Sequence, residues 1–155
     1  MKVYVRGVKK SKLSLTQTRR AVEFYAERLG ISRRLRDKIT LFISFEDKSF
    51  GFSGLCSWID EPYRPKEFTI QVVRQGIHET LSTLAHEMVH VKQYAKGELR
   101  DLITKSDMVV WRGARKTVTN YEETYASQPW EVEAFALETK LKNAFIYQEK
   151  KHGRW

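Results

Sequence analysis

Residues 77–97 read Ile77-His78-Glu79-Thr80-Leu81-Ser82-Thr83-Leu84-Ala85-His86-Glu87-Met88-Val89-His90-Val91-Lys92-Gln93-Tyr94-Ala95-Lys96-Gly97. Apolar residues recur here at intervals of three and four, which is the period of one face of an α-helix. They are Ile77, Leu81, Leu84, Met88, Val91 and Ala95. Because glycines bracket the stretch, we predict a helix from about Glu79 to Lys96 that packs its apolar stripe on a core.

Two histidines in this helix are predicted to bind a metal ion. His86 and His90 are four residues apart, so a helix places them on one face. At 100° per residue they point about 140–180° away from the centre of the apolar stripe, toward solvent or a cleft. Imidazoles at this spacing can reach one zinc ion at about 2.0–2.1 Å. Glu87 can take a proton from a water at the open position of such a site. We therefore predict Zn²⁺ bound by His86 and His90, with Glu87 as the catalytic base; the alternative is two solvent-facing histidines on an amphipathic helix.

A catalytic zinc ion needs a third protein ligand. The other two histidines, His78 and His152, lie just before the helix and in the C-terminal tail. The best candidates are therefore Glu131 and Glu133, which flank the apolar stripe of the last predicted helix. Glu131 shares a face with Ala134, whose small side chain allows two helices to approach closely, so Glu131 is favoured. Glu133 remains the alternative ligand.

The rest of the chain predicts a single α+β domain over residues 1–155, because the length suits one core and no linker or repeat divides it. The last helix begins at Pro129, a residue suited to the first helical position, and the tail over 150–155 is expected to fray. The other predicted elements are strands over 3–8, 40–45, 68–73, 108–111 and 116–119 and a helix over 14–29.

Composition narrows the class of protein. Of the 155 residues, 41% are hydrophobic and 30% are charged, which is typical of a globular domain. No apolar run approaches the length of a membrane span, and the N-terminus lacks the apolar segment of a signal peptide. The single cysteine, Cys56, cannot form an internal disulfide. We therefore expect a cytoplasmic protein with no membrane partner.

The positive charge is concentrated in one region. Residues 1–40 carry 12 Lys and Arg against 3 Asp and Glu, whereas the remaining residues carry equal numbers of each sign. Such a basic region attracts nucleic acid or another polyanion. We expect nonspecific nucleic-acid contact at most, because no motif for reading sequence accompanies the charge. The alternative is that these residues only keep the protein soluble.

Three segments together resemble the SprT-like metallopeptidases. They are Gly54-Leu55-Cys56, the strand from Phe68, and Glu79-Thr80-Leu81 leading into the two histidines, and the resemblance covers roughly residues 14–97. In that family a third histidine follows the motif, whereas here none follows His90 before His152. The resemblance implies a minimal zincin-like domain, with a small mixed sheet against the histidine helix, a further N-terminal helix and a C-terminal ligand-bearing helix. It also implies that the strand over 68–73 borders the cleft and pairs with an extended substrate.

The segment Glu131-Val132-Glu133-Ala134 instead resembles the Glu-x-x-Ala signature of gluzincins and of the ImmA/IrrE-like peptidases. In those families the first Glu binds the metal, which implies Glu131 here. The whole arrangement is also similar to small peptidases encoded by phages and bacteria. Because a tyrosine often steadies the oxyanion in such enzymes, Tyr121 and Tyr125 are further catalytic candidates.

These observations predict a zinc-dependent peptidase that hydrolyses a protein or peptide substrate with metal-activated water. The basic region suggests substrates associated with nucleic acid. The alternative is a non-catalytic basic domain, close to nucleic acid, that retains a structural or vestigial metal site. A metal hydrolase that acts on a non-peptide amide is a third interpretation.

Overall fold

The computed structural model describes residues 1–8, 12–47, 51–105, 107–118 and 122–155 and has an α+β architecture, as predicted. The strands are β1 (Lys2–Arg6), β2 (Thr40–Glu46), β3 (Gly54–Trp58), β4 (Glu67–Val73), β5 (Leu99–Asp101), β6 (Met108–Trp111) and β7 (Ala114–Thr117). The helices are α1 (Leu15–Arg28), α2 (Arg33–Arg36), α3 (Ile77–Ala95), α4 (Glu122–Tyr125) and α5 (Pro129–Lys151).

Most predicted elements are confirmed to within about two residues. The helix with the two histidines is α3, which begins at Ile77. Ser14 is the N-cap of α1, because its hydroxyl accepts a hydrogen bond from the Gln17 backbone, and the Gln17 side chain accepts one from the Ser14 backbone. The strands predicted over 108–111 and 116–119 are present as β6 and β7, which pair as a hairpin around Arg112 and Gly113.

The main sheet has the order β1-β2-β4-β3, with β1, β2 and β4 parallel and β3 antiparallel to β4. β4, the strand over 67–73, therefore pairs along both of its edges. The expectation that this strand pairs with substrate is wrong, because no main-chain groups remain free along it. β3 is an edge strand instead, and the sequence prediction missed it because Gly51 and Gly54 resembled turn residues.

α3 is the central helix of the domain and is buried on nearly all sides. It packs on β3 and β4 and also contacts α1 and α5. Leu81, Leu84 and Met88 are fully buried in the core that α3 shares with the sheet and α1. The face that carries His86 and His90 is covered by α5, where Ala134 is fully buried and allows close helix packing.

The small sheet has the order β5-β6-β7 and closes one side of the same region. Leu99, Val109 and Trp111 form a second apolar cluster with Trp130 of α5. Asp101 connects this sheet to the main one, because its carboxylate accepts hydrogen bonds from Trp58 Nε1 at 2.7 Å and from the Tyr94 hydroxyl at 3.0 Å.

The C-terminal tail, for which fraying stays a prediction, makes two contacts with the domain. α5 continues to Lys151, and Arg154 Nη2 lies 2.9 Å from the buried carboxylate of Glu149. The Trp155 ring packs edge-on against His78, with ring centroids 5.8 Å apart. An ion pair and an aromatic contact therefore hold the end of the chain on the domain.

In the part of the chain that the structure describes, the helices are all too short or too polar to cross a membrane.

Candidate metal centre

Three side chains from two helices converge between α3 and α5. His86 and His90 project from the middle of α3, and Glu131 projects from the first turn of α5. His86 Nε2 lies 3.1 Å from Glu131 Oε2, and His90 Nε2 lies 3.4 Å from Glu131 Oε1. The two Nε2 atoms are 3.2 Å apart. All three side chains are buried, and their ligand atoms lie within 4.8 Å of one another.

The Nδ1 atom of His86 is engaged outside this cluster. It lies 2.9 Å from Oε2 of Glu138, a residue further along α5, and the other Glu138 oxygen accepts a hydrogen bond from the Ser82 hydroxyl at 3.4 Å. Because a carboxylate only accepts, Nδ1 of His86 carries the proton. Nε2 therefore presents its lone pair to the cluster.

A longer chain of hydrogen bonds sets the tautomer of His90. Gln93 Nε2 donates to the Trp130 carbonyl at 2.9 Å and to Glu133 Oε2 at 2.8 Å, and both of those partners can only accept. Gln93 Oε1 is thereby left as the acceptor, 2.8 Å from His90 Nδ1. His90 consequently carries its proton on Nδ1 and also turns the Nε2 lone pair toward Glu131.

This donor set fits a metal ion. Two neutral imidazole nitrogens and one carboxylate face one another in a buried space, and such an arrangement is stable only around a positive charge. In the free protein a proton would supply that charge. Burial alone lowers the pKa of His86 and His90, but hydrogen bonds to Glu131 outweigh it and raise both pKa values. Burial likewise favours protonated Glu131, yet the two histidines lower the pKa of its carboxyl to about 2.

Glu87 lies beside this group and is also buried. Burial raises the pKa of its carboxyl, although the nearby histidines and a hydrogen bond from the Cys56 backbone oppose the change. Gly54 of β3 has no side chain, and the Glu87 carboxylate occupies the space where a side chain would lie. A Cβ at Gly54 would lie 2.5 Å from Glu87 Oε1 and 2.5 Å from Thr83 Cγ2. A side chain at this position would therefore displace Glu87.

The centre opens into a cleft of about 550 Å³. Polar groups of the centre form its floor, and apolar side chains from β3, the small sheet and α5 form its walls. The wall residues include Phe52, Leu55, Leu99, Val118, Trp130 and Phe135. The cleft is large enough for part of a peptide, and Glu87, His86 and His90 all line it.

Of the two tyrosines predicted to stabilise the oxyanion, the structure describes only Tyr125. Tyr125, at the end of α4, lines the cleft and hydrogen-bonds to Glu131. Burial, followed by the negative charge of Glu131, raises the pKa of Tyr125, so its hydroxyl stays protonated at neutral pH. Tyr121 lies outside the residues that the structure describes.

Glu133, the alternative ligand, points away from the cluster. Its Oε1 atom lies 2.9 Å from both Lys92 Nζ and Arg112 Nη2, and its Oε2 atom accepts from Gln93. The positive charges of Lys92 and Arg112 neutralise the Glu133 carboxylate without a metal. Lys92 is itself buried, so its ammonium group also needs this partner. Glu133 therefore acts on the centre only through Gln93 and His90.

Sequence reasoning missed Glu138, Gln93 and Gly54. Glu138 is two helical turns after Glu131, and Gln93 is one turn after His90, so each shares a face with a predicted ligand. This helical spacing was a usable signal for both. Gly54 gave no such signal, because its contact with Glu87 depends on the placement of a strand that the pattern did not reveal.

Comparisons of the chain with protein-family models, curated proteins and solved structures returned no match. The resemblances drawn from short motifs therefore remain predictions.

Proposed function

We propose that this protein is a zinc-dependent peptidase with a zincin-like arrangement, in which His86, His90 and Glu131 hold the metal and Glu87 is the general base. The observation that carries the proposal is the convergence of two Nε2 lone pairs and one carboxylate beside a buried glutamate in an open cleft. Two histidines and one glutamate are a ligand set of catalytic zinc sites.

The number of protein ligands supports a catalytic over a structural site. Structural zinc sites have four protein ligands and are closed, whereas catalytic sites have three and keep one position for water or substrate. Among the described residues, three side chains form the cluster, and it faces the cleft. A bound Zn²⁺ would supply Lewis acidity, which acidifies water and polarises a carbonyl group.

In this proposal Glu87 transfers protons during peptide hydrolysis. Its carboxylate accepts a proton from the attacking water and then donates that proton to the nitrogen of the leaving amine. A pKa raised by burial makes the carboxylate a stronger base near neutral pH. The Cys56 backbone N–H donates a hydrogen bond to this carboxylate, and Gly54, which has no side chain, leaves room for it.

Tyr125 has a supporting role in this proposal. Its protonated hydroxyl orients Glu131 in the free protein. The same hydroxyl can donate a hydrogen bond to the oxyanion that forms when the substrate carbonyl is attacked.

The edge of β3 is the proposed docking strand for a peptide. Val73 donates to the Ser53 carbonyl and Ile59 donates to the Glu67 carbonyl, so the odd-numbered residues of β3 pair with β4. In an antiparallel ladder the intervening residues, Gly54, Cys56 and Trp58, turn their main-chain groups outward. The Cys56 N–H already donates to Glu87, so a substrate strand would use the Cys56 carbonyl and the main chain of Gly54 and Trp58. A substrate strand pairing there would lie along the cleft, with affinity from main-chain hydrogen bonds and modest sequence specificity.

The test is a peptide-library cleavage assay of zinc-loaded protein with Glu87→Gln. We expect wild-type cleavage to be lost by about 10²–10⁴-fold in the variant, with zinc content unchanged. Glu79→Gln, an exposed glutamate on the same helix, is the matched control and should retain activity. Equal activity of Glu87→Gln and wild type would contradict the proposal and favour a non-catalytic domain with a structural metal site.

A further inference from the structure

A groove of about 290 Å³ lies on the outer face of the main sheet, which points away from α3. β4 shows the two faces, because residues buried toward α3 alternate along it with partly exposed residues. The groove shares Phe52, Gly54 and Leu55 with the cleft of the metal centre, so the two are continuous around the beginning of β3. This outer groove is lined by Glu46, Phe52, Gly54, Leu55, Gln71, Val72 and Val73.

The surface of the outer groove is mainly apolar. Leu55 is 44% exposed and Phe52 is 50% exposed, although both side chains are large and hydrophobic. Such side chains, exposed together around a concave surface, are typical of a binding site. Glu46 is the acidic residue of the lining, and its carboxylate lies 3.6 Å from Arg6 Nη2. The outer groove therefore suits an apolar group, and Glu46 repels a carboxylate.

The pairing of β3 determines which part of a docked peptide reaches the outer groove. Leu55 pairs with Gln71 on the outer face, whereas Gly54 lies on the inner face, against Glu87 of α3. Residues directly opposite one another in paired strands have their side chains on the same face. In a peptide that pairs with the outward edge of β3, the residue opposite Leu55 therefore contacts Leu55. The residues before and after it in the peptide face the metal centre.

We infer that the outer groove is a specificity subsite, which selects peptides with a large apolar side chain at the position opposite Leu55. This side chain packs on Leu55, Phe52 and Val73. Its neighbour in the peptide, opposite Gly54, lies beside Glu87, so the cleaved bond is within about two residues of the apolar side chain. The inference rests on the proposed function, because it takes β3 as the docking strand. It adds the substrate class, which is extended peptide segments that carry an apolar residue near the cleaved bond.

The test is fluorescence anisotropy of short labelled peptides of Gly, Ser and Thr that carry one central Leu, Gln or Asp. Binding is measured to zinc-loaded Glu87→Gln protein, so that cleavage does not interfere. We expect the Leu peptide to bind about tenfold more tightly than the Gln peptide, because its side chain is buried in the outer groove. The Asp peptide should bind most weakly, because Glu46 repels it.

Two variants of the outer groove, each combined with Glu87→Gln, locate this preference. Leu55→Gln and Phe52→Gln should each remove most of the preference for the Leu peptide. Leu15→Gln is the matched control, because Leu15 is 38% exposed at the beginning of α1 and lines neither groove nor cleft. The control should keep the full preference, and melting temperatures verify that each variant is folded.

Cleavage of the same peptides by zinc-loaded wild type separates this inference from the proposed function. Preferential binding of the Leu peptide without cleavage of any peptide would uphold the subsite and contradict the peptidase proposal. Cleavage of all three peptides with equal kcat/KM and equal binding would overturn the subsite and leave the peptidase proposal standing. A preference that survives in both Leu55→Gln and Phe52→Gln would also overturn the subsite, as would the absence of binding by every peptide.

Discussion

The two ends of α5 bury one glutamate each, and the surroundings of these two carboxylates differ. Glu131 is 3% exposed near the N-terminus of the helix, and Glu149 is 1% exposed near its C-terminus. Glu149 lies between two arginines. Among the described residues, the ion-pair partners of Glu131 are the histidines His86 and His90, whose Nε2 atoms face it as acceptors unless they are protonated.

This difference shows how the partners of a buried carboxylate separate a structural ion pair, at Glu149, from a candidate metal ligand, at Glu131. A buried charge is tolerated only when it is paired or binds a cation. At Glu149 the protein supplies the opposite charge itself, and the pair joins α5 to α1. At Glu131 the opposite charge has to come from outside the protein, as a proton or a metal ion. Neighbouring hydrogen bonds to Glu138 and Gln93 hold both histidines in the tautomer that leaves Nε2 free to bind a metal.

The largest expected effect is loss of zinc-dependent stabilisation in Glu131→Gln. At a free zinc concentration of about 100 times Kd, binding adds about 2.7 kcal/mol to the unfolding free energy of wild type. The variant lacks a charged ligand, so its unfolding free energy should be the same with zinc and with EDTA. Denaturant unfolding under both conditions measures this. A full zinc increment in Glu131→Gln would assign the third ligand elsewhere.

Glu149→Gln should lower the stability of the protein but leave the stabilisation by zinc unchanged, in contrast to Glu131→Gln. Loss of this carboxylate leaves Arg20 and Arg154 without their partner and lowers the unfolding free energy by about 2–3 kcal/mol. The loss is below that of a fully buried pair because both arginines are about one-third exposed. The zinc increment should stay at its wild-type size in the same unfolding experiment. A smaller zinc increment in this variant would show that the two ends of α5 are not independent.

Glu138→Gln tests whether the hydrogen bond to His86 Nδ1 matters for metal binding. A neutral amide orients the imidazole less well than a carboxylate, so we expect about 10- to 100-fold weaker zinc binding. Glu79→Gln, the same chemical change at an exposed position in the first turn of α3, is the control. Competition with a zinc-binding dye measures both affinities. Equal affinities would show that His86 is positioned by packing alone.

The smallest expected effect on zinc is that of Glu133→Gln. Lys92 keeps its contact with Glu98 at 2.6 Å, so the unfolding free energy should fall by only about 1 kcal/mol. Zinc content should remain about one ion per chain, because Glu133 reaches the centre only through Gln93. Elemental analysis checks this, and loss of the metal would restore Glu133 as a candidate ligand.

Local periodicity predicted the helical part of the molecule. Ile77 to Ala95 and the stripe after Pro129 identified α3 and α5. The spacing of His86 and His90 placed both on one face of α3, and the spacing of Glu131 and Ala134 favoured Glu131 as their partner. Such features depend on residues one or two turns apart, which sequence alone can relate.

The parts that sequence could not predict depend on contacts distant along the chain. The order of strands placed β4 inside the sheet and β3 at its edge, and no periodicity encodes that order. The contact between the Trp155 ring, in the tail that was predicted to fray, and the His78 ring likewise joins residues far apart in the chain. The tautomer of His90 similarly depends on Gln93, Glu133 and the Trp130 carbonyl across two helices.

The most direct test of the central claim is the metal content of purified protein by elemental analysis, before and after reconstitution with zinc. We expect about one zinc ion per wild-type chain and none in His86→Ala or His90→Ala, since each variant removes one of three ligands. Circular dichroism would verify that the variants are folded. Wild-type protein that binds no zinc after reconstitution would contradict the metal centre and, with it, the peptidase proposal.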